Sequence, residues 1–71
     1  MRPEIIVNIK RYPIRLGQFL KLADIVQDGL EAKALIAGGE VEVNGDVELK
    51  RGRQLFADDR ISVGGQSYVC R

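Results

Sequence analysis

The spacing of apolar residues changes twice along the chain, and the changes mark out its elements. Residues Glu4 to Lys10 read EIIVNIK, a β-branched run that predicts a strand. Pro13 then stops the pairing, because it has no N–H to donate. Apolar side chains at positions 16, 19, 20, 22, 23 and 26 recur at helical spacing with a broad buried face, which predicts a helix over Leu16–Val26 ended by Gly29. A second short helix over Leu30–Ala37 directs Ala32, Leu35 and Ile36 toward a core, and Gly38-Gly39 signals its end.

From Glu40 the period is two. Val41 and Val43 alternate with Glu42 and Asn44, and Asn44-Gly45 is a tight-turn dipeptide. Val47 and Leu49 resume the alternation around Glu48, which predicts a hairpin with valine and leucine on one face and acids on the other. Lys50–Arg53 reads as a polar connection, followed by Gln54-Leu55-Phe56 and a turn at Asp58-Asp59. Arg60–Val63 and Gln66–Cys70 predict a last strand pair around Gly64-Gly65. No repeat, linker or low-complexity stretch interrupts this order, so the pattern predicts one α+β domain over residues 1–71.

Composition narrows the chemistry. The chain has 71 residues, 45% of them hydrophobic and 30% charged, a balance that supports a small folded core and argues against disorder. With no histidine and one cysteine, Cys70, the usual zinc sites, an internal disulfide and histidine acid–base catalysis are excluded. Glu4, Lys10 and Arg11 surround an apolar run of only Ile5 to Val7, which fits neither a signal peptide nor a membrane span. The expectation is a cytoplasmic, non-catalytic protein without a cofactor or metal and without membrane contact.

A formal net charge of +1 conceals an uneven distribution. Lys10, Arg11, Arg15 and Lys21 fall between Glu4 and Asp24 with no acid among them. The hairpin carries Glu40, Glu42, Asp46 and Glu48 with no base, and Lys50, Arg51 and Arg53 follow at once. Basic clusters of this kind neutralise phosphates and release condensed counterions, and engaging about five phosphates gives a salt slope of roughly −3.5 to −4.5. Taken singly, each cation also fits an ordinary solvated surface, and each hairpin acid an outward polar position. Asp58 and Asp59 do not read as a catalytic pair, because adjacent side chains in extended backbone point apart.

Three spaced motifs between Arg15 and Ile61 resemble the S4-like RNA-binding domain: Arg15-Leu16-Gly17, Glu31-Ala32-Lys33 and Glu40-Val41-Glu42-Val43-Asn44-Gly45. The family pattern runs Arg-Leu-Asp, Ser-Arg-Ser-Glu-Ala-Arg and Gly-x-Val-x-Val-Asn-Gly. With Leu-Gly-Gln-Phe-Leu-Lys-Leu-Ala at 16 to 23 and Arg-Gly-Arg at 51 to 53, the chain looks most like the short stand-alone bacterial members, in which the domain is nearly the whole protein. The resemblance implies two short helices packed on a small antiparallel or mixed β-sheet. It also implies binding of structured RNA, ribosomal or transfer RNA, by the helix pair and the adjacent loop. Arg15 then matches the first family arginine and Lys33 the last residue of the second motif. Gly29 stands where the family usually has an RNA-contacting arginine, and Gly17 replaces the usual aspartate, which implies weak or context-dependent binding.

The expected RNA surface therefore comprises Arg15, Lys21, Lys33, Lys50, Arg51 and Arg53. Arg51-Gly52-Arg53 sets two guanidinium forks beside a residue without a side chain, which either admits close approach of a ligand or equally serves as a turn residue. Tyr12, Phe19, Phe56 and Tyr68 are too few and scattered for a base-stacking platform, so shape and phosphate recognition is the expected mode. The expected molecule is a monomer whose partner is RNA, with room for a ribosomal or other protein partner. The alternative is a protein-interaction module that uses Glu4–Lys10 as an exposed strand edge. A diglycine carrier is disfavoured, because strand-like alternation continues beyond Gly64-Gly65.

Overall fold

In the computed structural model, which describes residues 2–71, the elements run β1 (Ile5–Val7), β2 (Ile14–Arg15), α1 (Leu16–Leu22), α2 (Gly29–Ala37), β3 (Val41–Val43), β4 (Asp46–Val47), β5 (Gln54–Leu55), β6 (Arg60–Val63) and β7 (Gln66–Cys70). Five strands form a mixed sheet in the order β1-β7-β6-β3-β4, with β1 parallel to β7 and the other neighbours antiparallel. β2 and β5 pair separately, Ile14 opposite Leu55 and Arg15 opposite Gln54. The expected α+β arrangement of two helices and a mixed sheet is present.

Leu16, Phe19 and Leu20 of α1 and Ala32 and Ile36 of α2 are buried in one cluster with Val41, Val43, Leu55 and Ile61 from the strands. Phe19 meets Tyr68 of β7 edge to face, with ring centroids 6.5 Å apart. Among the described residues every fully buried side chain is apolar, so this core orients the helices and leaves the charged groups toward the surface.

The first helix is shorter than its apolar period predicts. It stops at Leu22, because Asp24 adopts a left-handed conformation (φ 62°) that an aspartate tolerates better than most residues. The chain then folds back so that Ile25 and Val26 donate to the Leu20 carbonyl at 3.0 and 3.2 Å. Val26 is therefore buried without being helical, and its burial mimics a continuing helix in the sequence. Gly29 does not end a helix. It opens α2, after Asp28, whose side chain accepts the Glu31 N–H at 2.8 Å as an N-cap. At the chain start, Ile5–Val7 of the predicted Glu4–Lys10 strand forms the strand pairing, at the sheet's edge, and Ile9 adds a bond from its N–H to the Arg71 carbonyl at 3.4 Å.

The hairpin faces also differ from the alternation. A two-residue turn at Asn44-Gly45 sets Val43 opposite Asp46 and Glu42 opposite Val47. Opposed residues share a face, so Val47 joins Glu42 on the solvent side while Glu48 falls on the side of Val41, whose carbonyl accepts the Glu48 N–H at 2.9 Å. Val47 and Leu49 are more than half exposed as a result.

A core of this size supplies only about 3–5 kcal/mol of net stability. Phe19→Ala, which costs about 3–5 kcal/mol at a fully buried site, is accordingly expected to abolish the cooperative urea transition at 25 °C. A variant with a wild-type midpoint would show that Phe19 is not central to the core.

Candidate nucleic-acid interface

Helix α1 starts without a side-chain acceptor from its N-cap, Arg15, and three main-chain donors at its start find other partners. The Arg15 N–H donates to Oε1 of Gln18 at 3.3 Å, one half of a capping box. The Leu16 N–H donates to the Arg53 carbonyl at 2.8 Å and the Gly17 N–H to the Arg51 carbonyl at 3.0 Å. The Lys50–Arg53 segment, remote in sequence, thus docks on the helix entry and satisfies donors that would otherwise be orphaned. It is itself a turn, closed by the Arg53 N–H donating to the Lys50 carbonyl at 3.1 Å.

Docking brings side chains together as well. A Cβ added to Gly17 would lie 2.8 Å from Cγ of Arg51, so the arginine stem runs across the space that the glycine leaves. An open groove of about 360 Å³ results, walled by Arg15, Gln18 and Lys21 from the first helix and its cap, Arg51 and Gly52 from the turn, and Gly29 and Ala32 from α2. Three cations, Arg15, Lys21 and Arg51, face one concavity, and all three are exposed.

Lys33, Lys50 and Arg53 are exposed but do not line the groove. Lys33 follows Gly29 by one turn on the same stripe of α2, and helix geometry leans its side chain toward the N-terminus, where nothing lies within 4 Å of the Gly29 Cβ position. Arg53 is engaged by Glu48: Nη1 donates to Oε1 at 2.7 Å. Oε2 of the same carboxylate accepts the Lys50 N–H at 3.1 Å. The Arg53 guanidinium and the Lys50 N–H hold the Glu48 carboxyl below the usual carboxylate range.

The charge pattern along the chain contains no sign of Gln18, Gly17 or Glu48 as parts of this surface. Gln18 at the third helical position is the one with a readable signal, since it fits the capping-box spacing. Gly17 serves as a seat for the Arg51 stem.

Other reactive groups are occupied structurally. Burial pushes the Cys70 thiol up to about 11, which keeps it protonated and unreactive. Asp59 accepts the Phe56 N–H at 2.8 Å and the Asn44 amide at 3.1 Å, and Asp58 pairs with Arg71. Among the described residues, no group of three or more histidine, cysteine, aspartate or glutamate side chains is placed to hold a metal, and no helix is long and apolar enough to cross a membrane.

Two helices on a mixed sheet, with a cationic groove at the helix pair and adjoining turn, define a small α+β module of the nucleic-acid-binding class. The S4 domain family model matches residues 7–71, and the chain belongs to that family. It is 42% identical over 59 residues to the probable ribosome maturation protein RlbA of Bacillus subtilis (strain 168), an alignment covering 83% of each chain. Its fold is similar to the solution structure of YbcJ from E. coli, described as revealing an ALFAL motif involved in RNA binding. The TM-score is 0.72 and the identity 30%, over 99% of this chain and 90% of that one.

Gly17→Ala tests the seating of Arg51. The helix-propensity gain of about 1 kcal/mol offsets part of the new contact, so stability is expected to stay within about 1 kcal/mol of wild type while the Arg51 stem is displaced. Nuclear Overhauser contacts from Arg51 to the first turn of α1 measure it, and unchanged contacts would show that the stem does not need the space.

Proposed function

We propose that this chain is a non-catalytic RNA-binding protein that recognises structured RNA, ribosomal RNA or RNA of a ribosome-associated particle, through phosphate and shape contacts at the α1–α2 groove. The observation that carries the reading is the convergence of Arg15, Lys21 and Arg51, from sequence positions up to 36 apart (51 − 15), on one open concavity of an S4 fold. Guanidinium forks grip phosphates in bidentate fashion, and an open groove admits a folded backbone rather than a small ligand. Lys33 extends the surface along α2, and Lys50 and Arg53 extend it along the turn. The ribosomal target is supported by likeness to a ribosome maturation protein and to a protein described with an RNA-binding motif.

No aromatic side chain lines the groove, which favours recognition of phosphate spacing and helix shape over stacking of unpaired bases. A cytoplasmic location and a monomeric state accompany this reading. The alternative, a protein-interaction module, keeps one observation in its favour: β1 is an edge strand whose Ile6 is 61% exposed. Pull-down from RNase-treated lysate separates the two readings, since only partners of the strand edge survive RNA removal.

Two measurements test the groove. Combined Arg15→Ala, Lys21→Ala and Arg51→Ala is expected to leave the circular dichroism spectrum unchanged and to flatten the slope of log affinity against log salt by about 2–3 for structured RNA. The same affinity and slope as wild type would remove the groove from the binding surface. Gly29→Arg fills open space at the helix start and adds a cation facing the groove. It is expected to raise affinity about tenfold at low salt, as one added charged hydrogen bond does, and unchanged affinity would place the RNA elsewhere.

A further inference from the structure

Glu48 is an acid set against the basic turn of a surface read as binding a polyanion, and simple electrostatics makes it a defect there. Its carboxylate nevertheless holds both ends of the turn: Oε2 takes the Lys50 N–H at 3.1 Å and Oε1 takes Nη1 of Arg53 at 2.7 Å. Its side chain is only 16% exposed, against 41% for Arg53, and it reaches the turn from the hairpin, where its own N–H donates to the buried Val41 carbonyl. The side chain is thus anchored to the sheet at one end and clamps the turn at the other.

Two carbonyls of the same turn, those of Arg51 and Arg53, receive the Gly17 and Leu16 amides of α1. One path of short contacts therefore runs from β3 through Glu48 and the Lys50–Arg53 turn to the entry of α1, where the Arg51 stem crosses Gly17. We infer that Glu48 is a positioning residue for RNA binding: it pre-organises the Lys50–Arg53 turn so that Arg51 is presented in the groove before RNA arrives. The inference rests on the RNA reading given above. Fixing the turn in advance removes an ordering cost from binding, and this gain outweighs the repulsion from one acid whose charge is already matched by Arg53.

The two physical effects have opposite signs, which makes the inference decidable. Glu48→Ala and Glu48→Gln remove the same negative charge, but glutamine retains an oxygen that accepts from Lys50 or Arg53. If charge repulsion dominates, both variants bind structured RNA more tightly, and equally so. If positioning dominates, Glu48→Ala binds about tenfold more weakly than wild type and Glu48→Gln falls between the two.

The experiment measures affinity of the full chain and both variants for a structured ribosomal RNA fragment at two salt concentrations, with amide hydrogen exchange of the free proteins recorded in parallel. Expected are the order wild type, glutamine, alanine in affinity, and faster exchange at Leu16, Gly17 and Arg53 in the alanine variant. Equal or tighter RNA binding by Glu48→Ala overturns the inference while leaving the RNA reading in place, as does unchanged exchange at these amides. A wild-type chain with no affinity for structured RNA overturns both.

Discussion

The entry of helix α1 needs acceptors that its own cap does not supply, and the Lys50–Arg53 turn provides two of them through its carbonyls. This pair of main-chain bonds, at 2.8 and 3.0 Å, joins a helix near the start of the chain to a turn that follows the hairpin. Backbone donors at a helix start are obligatory hydrogen-bonding groups, so the docking is set by the need to satisfy them as much as by apolar contact. The short β2–β5 pair fixes the same junction from the other side, holding Arg15 opposite Gln54. Once the turn is docked, Arg15, Lys21 and Arg51 face one groove, and all three are exposed.

The separation of labour follows from size. A chain of 71 residues has too small a core to bury charge at a profit, and its fully buried side chains are apolar. The geometry of the exposed groove cations is set from beneath, by glycine and main-chain contacts. Gly17 leaves room for the Arg51 stem, and Gly29 leaves open space at the α2 start. The surface is consequently open and modestly charged, suited to phosphate contacts that gain strength from shape and from neighbouring parts of a larger particle. Glu48 and Arg53 follow the same pattern: the cation is matched with an acid at 2.7 Å, and the same carboxylate accepts the Lys50 N–H.

The sequence alone determined the order and kind of most elements. β-Branched runs, helical periodicity and turn dipeptides placed β1, α2, β3, β6 and β7 to within a few residues, because each is decided by contacts close in the chain. The spaced Arg-Leu-Gly, Glu-Ala-Lys and Val-x-Val-Asn-Gly pieces likewise carried the family, and the family model spans the same region. Two local features escaped for a physical reason. Val26 is buried by a left-handed turn at Asp24, which a count of apolar spacing reads as more helix. A two-residue turn shifted Val47 to the solvent face, and register is a property of the strand pair that neither strand carries alone.

What only the tertiary structure decided is which cations lie together. Clustering along the chain grouped Lys50, Arg51 and Arg53, yet the fold separates them, seating Arg51 beside Arg15 and Lys21 and tying Arg53 to Glu48. Adjacent side chains in a turn leave in different directions, so their neighbours are set by whatever packs against the turn. Here that is the entry of α1, brought there by unsatisfied amides of Leu16 and Gly17. The sequence thus determined the fold class and the inventory of charged groups, whereas a long-range hydrogen-bonding requirement decided their arrangement.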